Sequence, residues 1–220
     1  MIASMLIKED IFPLRMDDTI DEALSRMNEY KVSHFPVSSD DRFLGIIAEK
    51  DIINLESPEM EIKNEFLRFD NSSVNEHLYI YDVLKLASEQ KLSIIPVTDD
   101  AGGYIGSITQ RDLVSFFADS ASVHMPGAVV ILEVSENDYS LTEIANIVES
   151  NDSKILSTFI LSNPESTKLE VAIKLSKIDP GSILQTFERY SYRVIASYQE
   201  SSDYDELKDN YESLMNYLKF

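Results

Sequence analysis

The chain carries two copies of one segment, about sixty residues apart. Aligning residue i with residue i + 60 pairs Pro36 with Pro96, and an extra residue within 101–103 changes the offset to 61, which then pairs Asp51 with Asp112. Chance does not preserve one register over about forty positions with a single gap. The sequence therefore indicates an internal duplication.

Each copy predicts the same order of elements. Apolar residues at helical spacing predict helices at Ile20–Met27 and Ile80–Ala87, and each helix is followed by a strand with proline, a polar turn, a second strand and a short helix. Two strands and two helices cannot close a hydrophobic core alone. We therefore expect the two copies to pack face to face about a pseudo-twofold axis.

This order, with an apolar-Pro-Val strand, an acidic turn and a Gly-apolar-apolar-Thr-x-x-Asp motif, resembles the CBS domain, and two copies resemble a Bateman module. The resemblance covers roughly Met1–Ala121, with the acidic segment Glu56–Asn71 connecting the copies. It implies duplicated β-α-β-β-α units of the α+β or α/β class. It also implies a cleft between the units that binds an adenine nucleotide (AMP, ADP or ATP) or another adenosyl ligand.

The motif Thr109–Asp112 of the second copy has two interpretations. One is a capping box, in which Thr109 accepts a hydrogen bond from the first helical turn and Asp112 reaches back. The other is a ligand site, because a helix N-terminus binds anions, and the resemblance implies that Thr109 contacts a phosphate while Asp112 holds the ribose. The first copy has Ala48 and Asp51 at these positions, so its phosphate donor is missing and its site is weaker or empty.

The two repeated prolines predict a second part of the site. Because proline donates no hydrogen bond to a ladder, we expect Pro36 and Pro96 on edge strands, where main-chain groups stay available. The resemblance implies that the residues before them, Phe35 and Ile95, contact adenine through the backbone. An ordinary edge-strand proline is the alternative.

The predicted adenosyl-binding residues combine these positions with others that the resemblance marks. Residues near the first strand of each copy would wall the base, and basic residues would lie near the phosphate. The full set is Leu14, His34, Phe35, Pro36, Lys50 and Asp51 in the first copy and Val74, Ile95, Pro96, Thr109, Arg111 and Asp112 in the second. A solvated or core histidine at His34, and plain surface charge at Lys50 and Arg111, remain the alternatives.

The last third of the sequence predicts a different domain. Strand and helix patterns follow one another in the order βαββαβ over Pro126–Gln199, a ferredoxin-like arrangement that resembles an ACT domain. Amino-acid-binding ACT domains place a glycine in the first strand-to-helix turn, whereas Glu136–Ser140 contains none. We therefore expect a dimerising role, with Asp138 as the ligand candidate. Tyr204–Leu218 carries apolar residues at heptad spacing and predicts an amphipathic helix.

These patterns predict four segments along the chain. They are residues 1–60 (CBS repeat 1), 61–121 (CBS repeat 2), 122–200 (ACT-like domain) and 201–220 (C-terminal amphipathic helix). Paired CBS units followed by an ACT-like domain resemble the acetoin-utilisation accessory proteins.

Composition restricts the classes of function. The net charge of −20 would repel nucleic acid and anionic lipid, so we expect neither as a partner. There is no cysteine, and the start of the chain lacks the basic and apolar segments of a signal peptide, so a cytoplasmic protein is expected. His34, His77 and His124 show no metal-ligand spacing, and no Ser/His/Asp set, P-loop or GxGxxG motif is present. We therefore expect neither an enzyme nor a metal site.

The sequence favours a regulatory protein that binds an adenosyl ligand in the cleft of a CBS pair, forms a homodimer through the ACT-like domain and acts on an unidentified protein. The alternative is a non-enzymatic interaction or dimerisation scaffold whose nucleotide sites have degenerated. Ala48 and the missing glycine favour that alternative.

Overall fold

The chain divides into two compact units, Met1–Ala118 and Asp119–Phe220, which are described separately. The computed structural model describes residues 1–8, 10–40, 42–55, 57–64, 72–119, 121–162 and 167–199. Much of the predicted inter-repeat connector and the whole predicted C-terminal helix, 201–220, lie outside the described residues.

The first unit contains two small three-stranded sheets of identical topology. The first repeat comprises β1 (Leu14–Arg15), α1 (Ile20–Tyr30), β2 (His34–Ser39), β3 (Arg42–Ala48) and α2 (Glu49–Ile52). The second comprises β4 (Val74–Asn75), α3 (Ile80–Glu89), β5 (Ile94–Thr98), β6 (Tyr104–Thr109) and α4 (Gln110–Ala118). In each sheet the first strand pairs parallel with the second, and the second pairs antiparallel with the third. The predicted duplication and the β-α-β-β-α order are confirmed.

The two long helices bury the faces that their spacing predicts. In α1, Ile20, Ala23 and Met27 are buried, and the corresponding positions of α3 are buried as well. A capping box starts α1, because the Thr19 hydroxyl accepts from the Glu22 N–H while the Glu22 carboxylate accepts from the Thr19 N–H. These local signals fix where the first helix begins and which face packs.

Each of the two hydrophobic cores of this unit contains residues from both repeats. Ile94, from the second repeat, is fully buried in the core of the first, whereas Phe43 and Ile46 pack in the core of the second. Ala3 also lies in the second core, and its N–H donates to the Leu78 carbonyl at 2.8 Å. Neither repeat is therefore complete without the other, as the face-to-face arrangement predicts.

The expectation that the two prolines lie on edge strands is wrong. Pro36 is in β2 and Pro96 is in β5, and both strands are central in their sheets. The proline is accommodated because the parallel neighbour is short. The pairing of β1 with β2 runs over Val37 and Ser38, and that of β4 with β5 starts at Val97. In the described sheets the parallel pairing begins one residue after each proline, so the missing proline N–H costs no hydrogen bond to the parallel neighbour.

The second unit contains one four-stranded antiparallel sheet. Its elements are α5 (Ala121–His124), β7 (Val129–Ser135), α6 (Leu141–Glu149), β8 (Ile155–Ser162), β9 (Lys168–Leu175), α7 (Gly181–Arg189) and β10 (Arg193–Tyr198). The strand order is β10-β7-β9-β8. From β7 onward this is the βαββαβ order that the sequence predicts.

Alternate residues of the central strands form the core of the second unit. Leu132 of β7 and Val171 of β9 are fully buried together with residues of both α6 and α7, as period-2 alternation predicts. The Ser140-x-x-Glu143 pattern at the start of α6 is that of a capping box, but only half of the box is formed. The Ser140 hydroxyl accepts from the Glu143 N–H at 3.3 Å, but the Glu143 carboxylate accepts from the Tyr192 hydroxyl at 2.7 Å. A tertiary contact replaces the local one.

Candidate functional site

The Thr109–Asp112 corner lies where β6 ends and α4 begins. The Thr109 N–H and hydroxyl both donate to Asp112 Oδ2, at 3.0 and 2.6 Å, and the Asp112 N–H donates to the Thr109 hydroxyl at 3.1 Å. This geometry is a complete capping box. In this state the two predicted ligand groups satisfy each other, so a ribose must bind the other carboxylate oxygen or displace Thr109.

The other oxygen of Asp112 faces a cation. Lys8 Nζ lies 3.8 Å from Asp112 Oδ1, and the carboxylate side chain is 19% exposed. Lys8 reaches this position because its N–H donates to the Ser107 carbonyl at 2.9 Å, which holds the N-terminal segment antiparallel to β6. The second corner therefore combines a helix start, a carboxylate and an ammonium group within one small area.

The first corner has the same backbone but different side chains. The Glu49 N–H donates to the Ser33 carbonyl, as the Gln110 N–H does to the Ser93 carbonyl, so both short helices start at the same place in their repeats. Ala48 occupies the N-cap position and offers no side-chain bond. Asp51 and the nearby Lys50 are exposed, as is Arg111 at the second corner.

Strand register brings the predicted base-contacting residues next to these corners. Ile95 lies opposite Ile108, one residue before Thr109, and Phe35 lies opposite Ile47 in the same way. The side chains of both residues are fully buried. Because the exposure of each whole residue is 0%, neither its side chain nor its main chain reaches the surface in this structure, and the backbone contact with adenine that the resemblance implies stays a prediction.

The two residues predicted to wall the base lie inside the cores. Leu14 is 0% and Val74 is 3% exposed, and each packs in the core of its own repeat. In this structure they have almost no surface to offer a ligand. Their sequence pattern, an apolar residue in a short strand, does not distinguish a pocket wall from a core residue.

His34 joins the two repeats. Its Nδ1 lies 3.0 Å from the Ser93 hydroxyl and accepts from the Ser93 N–H at 3.3 Å, while the Ser33 N–H donates to the same hydroxyl at 2.9 Å. Since Nδ1 accepts a backbone N–H, the ring is unprotonated at that nitrogen. These contacts favour the structural alternative for His34 over a phosphate contact.

Two adjoining cavities lie beside the repeats, and they share Phe12, Pro13 and Ser38. The smaller, of about 230 Å³, is lined by Ile11–Pro13 and Ser38 of the first repeat and by Tyr104–Gly106 of the second. The Tyr104 hydroxyl donates to the Ile11 carbonyl at 2.8 Å and fixes this wall. Burial raises the pKa of Tyr104 to about 12, so the hydroxyl remains a donor near neutral pH.

The larger cavity, of about 630 Å³, is lined partly by charged residues. Arg15 Nε lies 3.3 Å from Asp17 Oδ1, and Lys63 Nζ lies 2.6 Å from Glu61 Oε2. The hydrogen bond with Glu61 raises the pKa of Lys63. Phe12, which is 71% exposed, lines both this charged cavity and the smaller one.

Comparison with known proteins identifies the first unit. Residues 3–57 and residues 66–119 each match the CBS domain family. This region is a tandem pair of CBS domains. This match confirms the prediction that the duplicated segment is a pair of CBS domains.

Two curated relatives each match about half of the chain. Inosine-5'-monophosphate dehydrogenase of Methanocaldococcus jannaschii is 28% identical over 113 residues, which make up 51% of this chain and 23% of that enzyme. The same enzyme of Korarchaeum cryptofilum is 25% identical over 118 residues, 54% of this chain and 24% of the enzyme. The chain thus spans about a quarter of the length of these relatives, and the match gives no reason to assign it their activity.

One similar solved structure is a CBS domain pair/ACT domain protein from Thermotoga maritima. It is 21% identical, covers 54% of this chain and 98% of its own, and has a TM-score of 0.48. At this similarity it adds nothing on ligand or role.

The cavity residues beside the CBS pair were missed in the sequence. Phe12, Pro13, Ser38 and Tyr104 come together through contacts between distant segments, the Tyr104–Ile11 bond spanning 93 positions. A weak signal was present, since an aromatic residue and a proline stand directly before the first strand of the CBS pair. Gly106 in the cavity wall and Thr109 at the corner are three residues apart on β6, about 10 Å.

A separate cavity of about 420 Å³ lies in the second unit at the C-terminal end of β7. Asp138, the predicted ligand candidate, lines it and accepts from the Ser135 hydroxyl. Glu133 at its rim pairs with both Lys168 and Arg193, and the hydrogen bond from Lys168 lowers the pKa of Glu133. The charged rim is thus already paired within the unit.

The described residues show neither a metal-binding cluster nor a membrane-spanning helix. Among residues 1–199 apart from the gaps given above, no group of three or more His, Cys, Asp or Glu side chains could hold a metal ion. In the same part of the chain, no helix has the length and apolar character needed to cross a membrane.

Proposed function

We propose that the CBS pair binds an adenine nucleotide (AMP, ADP or ATP) or another adenosyl ligand and that the bound state regulates a partner protein. CBS pairs commonly bind adenosyl ligands. The observation that carries the proposal is the cavity walled by both repeats, because one of its walls is the strand that ends at Thr109. The larger adjoining cavity is within the range of small-molecule sites, about 300–1,000 Å³.

In this proposal the second corner holds the ribose and phosphate. Asp112 accepts the ribose hydroxyls, and the start of α4 with Thr109 receives the phosphate, since helix N-termini favour anions. Lys8, now beside Asp112, is close enough to the corner to contact the phosphate as well. The base would extend along β6 toward Ile11–Pro13 and Tyr104.

The first corner would bind more weakly. Asp51 can hold a ribose, but Ala48 offers no hydroxyl to a phosphate. The proposed order of affinity, second corner above first, follows from this single difference between otherwise equivalent backbones.

Regulation would follow from differential affinity. A ligand that contacts both repeats favours the mutual arrangement in which it binds best, and it can shift the equilibrium only by that difference. We propose that the second unit is ACT-like and forms a homodimer, so that a change within the CBS pair is presented by a dimer to an unidentified protein. In this proposal the chain is not itself an enzyme.

The second candidate function is a dimerisation scaffold with degenerate nucleotide sites. It is favoured by the closed state of the second corner, where Thr109 and Asp112 already satisfy each other, and by Ala48 in the first.

Thermal unfolding with AMP, ATP or S-adenosylmethionine separates the two functions. A ligand at about one hundred times its Kd adds roughly 2.7 kcal/mol to the free energy of unfolding. We expect the ligand-induced increase to disappear in Asp112→Ala and to persist in the matched variant Asp51→Ala. The readout is the ligand-induced difference, because Asp112→Ala also removes a helix cap. If none of the three compounds increases the free energy of unfolding, the result favours the dimerisation scaffold with degenerate nucleotide sites.

A further inference from the structure

The larger of the two cavities beside the CBS pair is lined by a buried hydroxyl without a partner. Ser38 lines this cavity and is only 7% exposed. In the described part of the chain no hydrogen bond joins its hydroxyl to another residue. The hydroxyl still keeps some accessible surface, because every fully buried side-chain oxygen of the described residues has a partner. Ser38 therefore offers a hydrogen-bonding group to the cavity.

The second repeat treats the same position differently. Thr98 is the counterpart of Ser38, sixty residues further along the chain. It is buried to a similar degree, but its hydroxyl donates to the Val74 carbonyl at 3.4 Å. A polar group at this place in the fold can thus be satisfied by the neighbouring strand, and in the first repeat it is not.

Strand alternation places a cation beside Ser38. Arg15 of β1 and Ser38 of β2 are register partners, and they directly follow the fully buried pair Leu14 and Val37. Since successive side chains point to opposite faces of a sheet, Arg15 and Ser38 point away from the core of the first repeat. Both line the larger cavity. The counterpart of Arg15 is the uncharged Asn75.

Apolar groups and a second cation complete the lining. Phe12, Pro13 and Met16 supply the apolar surface, and Phe12 is largely exposed, so its ring is available for stacking. Lys63 adds a second positive charge. These residues can hold the apolar body of a small molecule next to an anionic group.

The charges of the lining favour a singly charged anion. Asp17 and Asp40 also line the cavity and offset its two cations, so a phosphate with about two negative charges is less suitable than one carboxylate. Arg15 Nε lies 3.3 Å from Asp17 Oδ1, and both side chains are mostly exposed. Because such exposed pairs contribute little, the guanidinium can exchange Asp17 for a ligand carboxylate with little loss.

We propose that this cavity is a second ligand site of the first repeat and that it takes a small molecule with one carboxylate on an aromatic body. Arg15 binds the carboxylate, Ser38 donates a hydrogen bond to the ligand, and Phe12 stacks on its ring. The site is separate from the Thr109–Asp112 corner and does not depend on nucleotide binding.

The chain contains no tryptophan, so Phe12→Trp introduces a single fluorescent reporter at the cavity. We expect para-nitrobenzoate, an aromatic carboxylate that quenches indole fluorescence, to quench this reporter along a saturable curve. Tyr81→Trp, at a residue that is 63% exposed in the same unit, is the matched control and should show only linear, collisional quenching. The uncharged para-nitrobenzyl alcohol should bind the Phe12→Trp protein at least about tenfold more weakly. Circular dichroism verifies that both reporter proteins keep the fold.

Two substitutions in the Phe12→Trp protein test the binding groups. Arg15→Gln should raise the Kd for para-nitrobenzoate about tenfold or more, and Ser38→Ala about fivefold. Lys85→Gln removes a similarly exposed cation of the same unit and should leave the Kd unchanged. Without ligand, Ser38→Ala should leave the midpoint of urea unfolding unchanged, because its hydroxyl has no partner to lose. A lower midpoint would assign Ser38 a structural role instead.

The separation from the nucleotide site is tested with Asp112→Ala. This variant should lose the stabilisation by AMP and keep the Kd for para-nitrobenzoate within about twofold, because the two groups share no contact. If AMP displaces para-nitrobenzoate and Arg15→Gln abolishes the stabilisation by AMP, the cavity belongs to the nucleotide site and the inference is wrong.

Two other results would overturn the inference. Linear quenching of both reporters alike would mean that the cavity binds no aromatic carboxylate. Equal affinity for the charged and the uncharged probe would mean that the cavity is apolar only, without recognition of a carboxylate. If AMP, ATP and S-adenosylmethionine all fail to stabilise the protein while para-nitrobenzoate still binds, the proposed function is contradicted and this inference is supported.

Discussion

The two CBS repeats share a backbone but differ at the two places where they could bind a ligand or each other. At the helix start, Thr109 and Asp112 bond to each other in the second repeat, whereas Ala48 leaves the first without a hydroxyl. At the contact between repeats, His34 of the first occupies the position that the fully buried Ile94 holds in the second. Duplication thus preserved the scaffold, while single substitutions made the two copies chemically different at both places.

The largest expected effect on stability concerns a residue of one repeat that packs in the core of the other. Ile94 is fully buried in the core of the first repeat although it belongs to the second, so Ile94→Ala should lower the free energy of unfolding by about 3 kcal/mol. Urea unfolding should show a single transition for the CBS pair, displaced to lower urea concentration.

Ile195→Ala is the matched control, since that side chain is 38% exposed in the second unit and should cost less than about 1 kcal/mol. If Ile94→Ala lowers the free energy of unfolding no more than this control, the repeats do not share a core. The two repeats must then be compared as independent domains.

A smaller effect is expected at Tyr104, whose counterpart in the first repeat is Phe43. Tyr104→Phe makes the copies alike at this position and removes the hydrogen bonds to the Ile11 carbonyl and the Ser107 hydroxyl. We expect a loss of about 1.5 kcal/mol, because a partly buried carbonyl loses its donor. Tyr79→Phe, at an exposed tyrosine of the same unit, should change stability by less than about 0.5 kcal/mol.

The difference in stability between wild type and Tyr104→Phe should depend on pH. Burial raises the pKa of Tyr104 to about 12, above the value of about 10 in an unfolded chain. The stabilisation from the neutral phenol is therefore complete below about pH 10 and is lost as the pH rises toward about 12. The difference in stability between wild type and Tyr104→Phe should narrow over that interval. A constant difference would show that the hydroxyl is not desolvated.

Helix faces, strands and the duplication were predictable from the sequence because they depend on local periodicity. Ile20, Ala23 and Met27 had to lie on one side of any helix that they form. The tertiary contacts and the order of the strands were not predictable from the sequence. Periodicity shows that Ile94 is buried but not in which core, and the central position of Pro36 depends on the short length of β1.

The candidate site was predictable only in its corners. The Thr109–Asp112 motif is local, so its cap could be anticipated from spacing alone. The cavity depends on a bond between Tyr104 and Ile11, which are far apart in sequence, and on Phe12 remaining exposed. Nothing in a single sequence indicates that an aromatic side chain stays outside the core.

The difference between the two helix starts can be reversed. Thr109→Ala should lower the free energy of unfolding by about 1 kcal/mol through loss of the cap, and Ala48→Ser should raise it by about 0.5 kcal/mol by supplying one. Denaturant titration of both variants tests whether the corners are equivalent in backbone. Since Ala48 is only 9% exposed, a destabilised Ala48→Ser protein would show that the first corner has no room for a hydroxyl.

The smallest effect on stability is expected at Lys8. Its ammonium group is 3.8 Å from Asp112, but the lysine side chain is 54% exposed. Lys8→Ala should therefore lower the free energy of unfolding by less than about 0.5 kcal/mol without ligand, and by still less in high salt.

If Lys8 also contacts phosphate, the Lys8→Ala variant should weaken stabilisation by ATP more than stabilisation by adenosine. Lys85→Ala, which removes a comparably long exposed pair with Glu89, should leave both ligand effects unchanged. A Lys8→Ala protein that loses the ATP and adenosine effects equally would assign Lys8 to holding the N-terminal segment against β6. The difference between the two repeats would then lie in Thr109 and Ala48 alone.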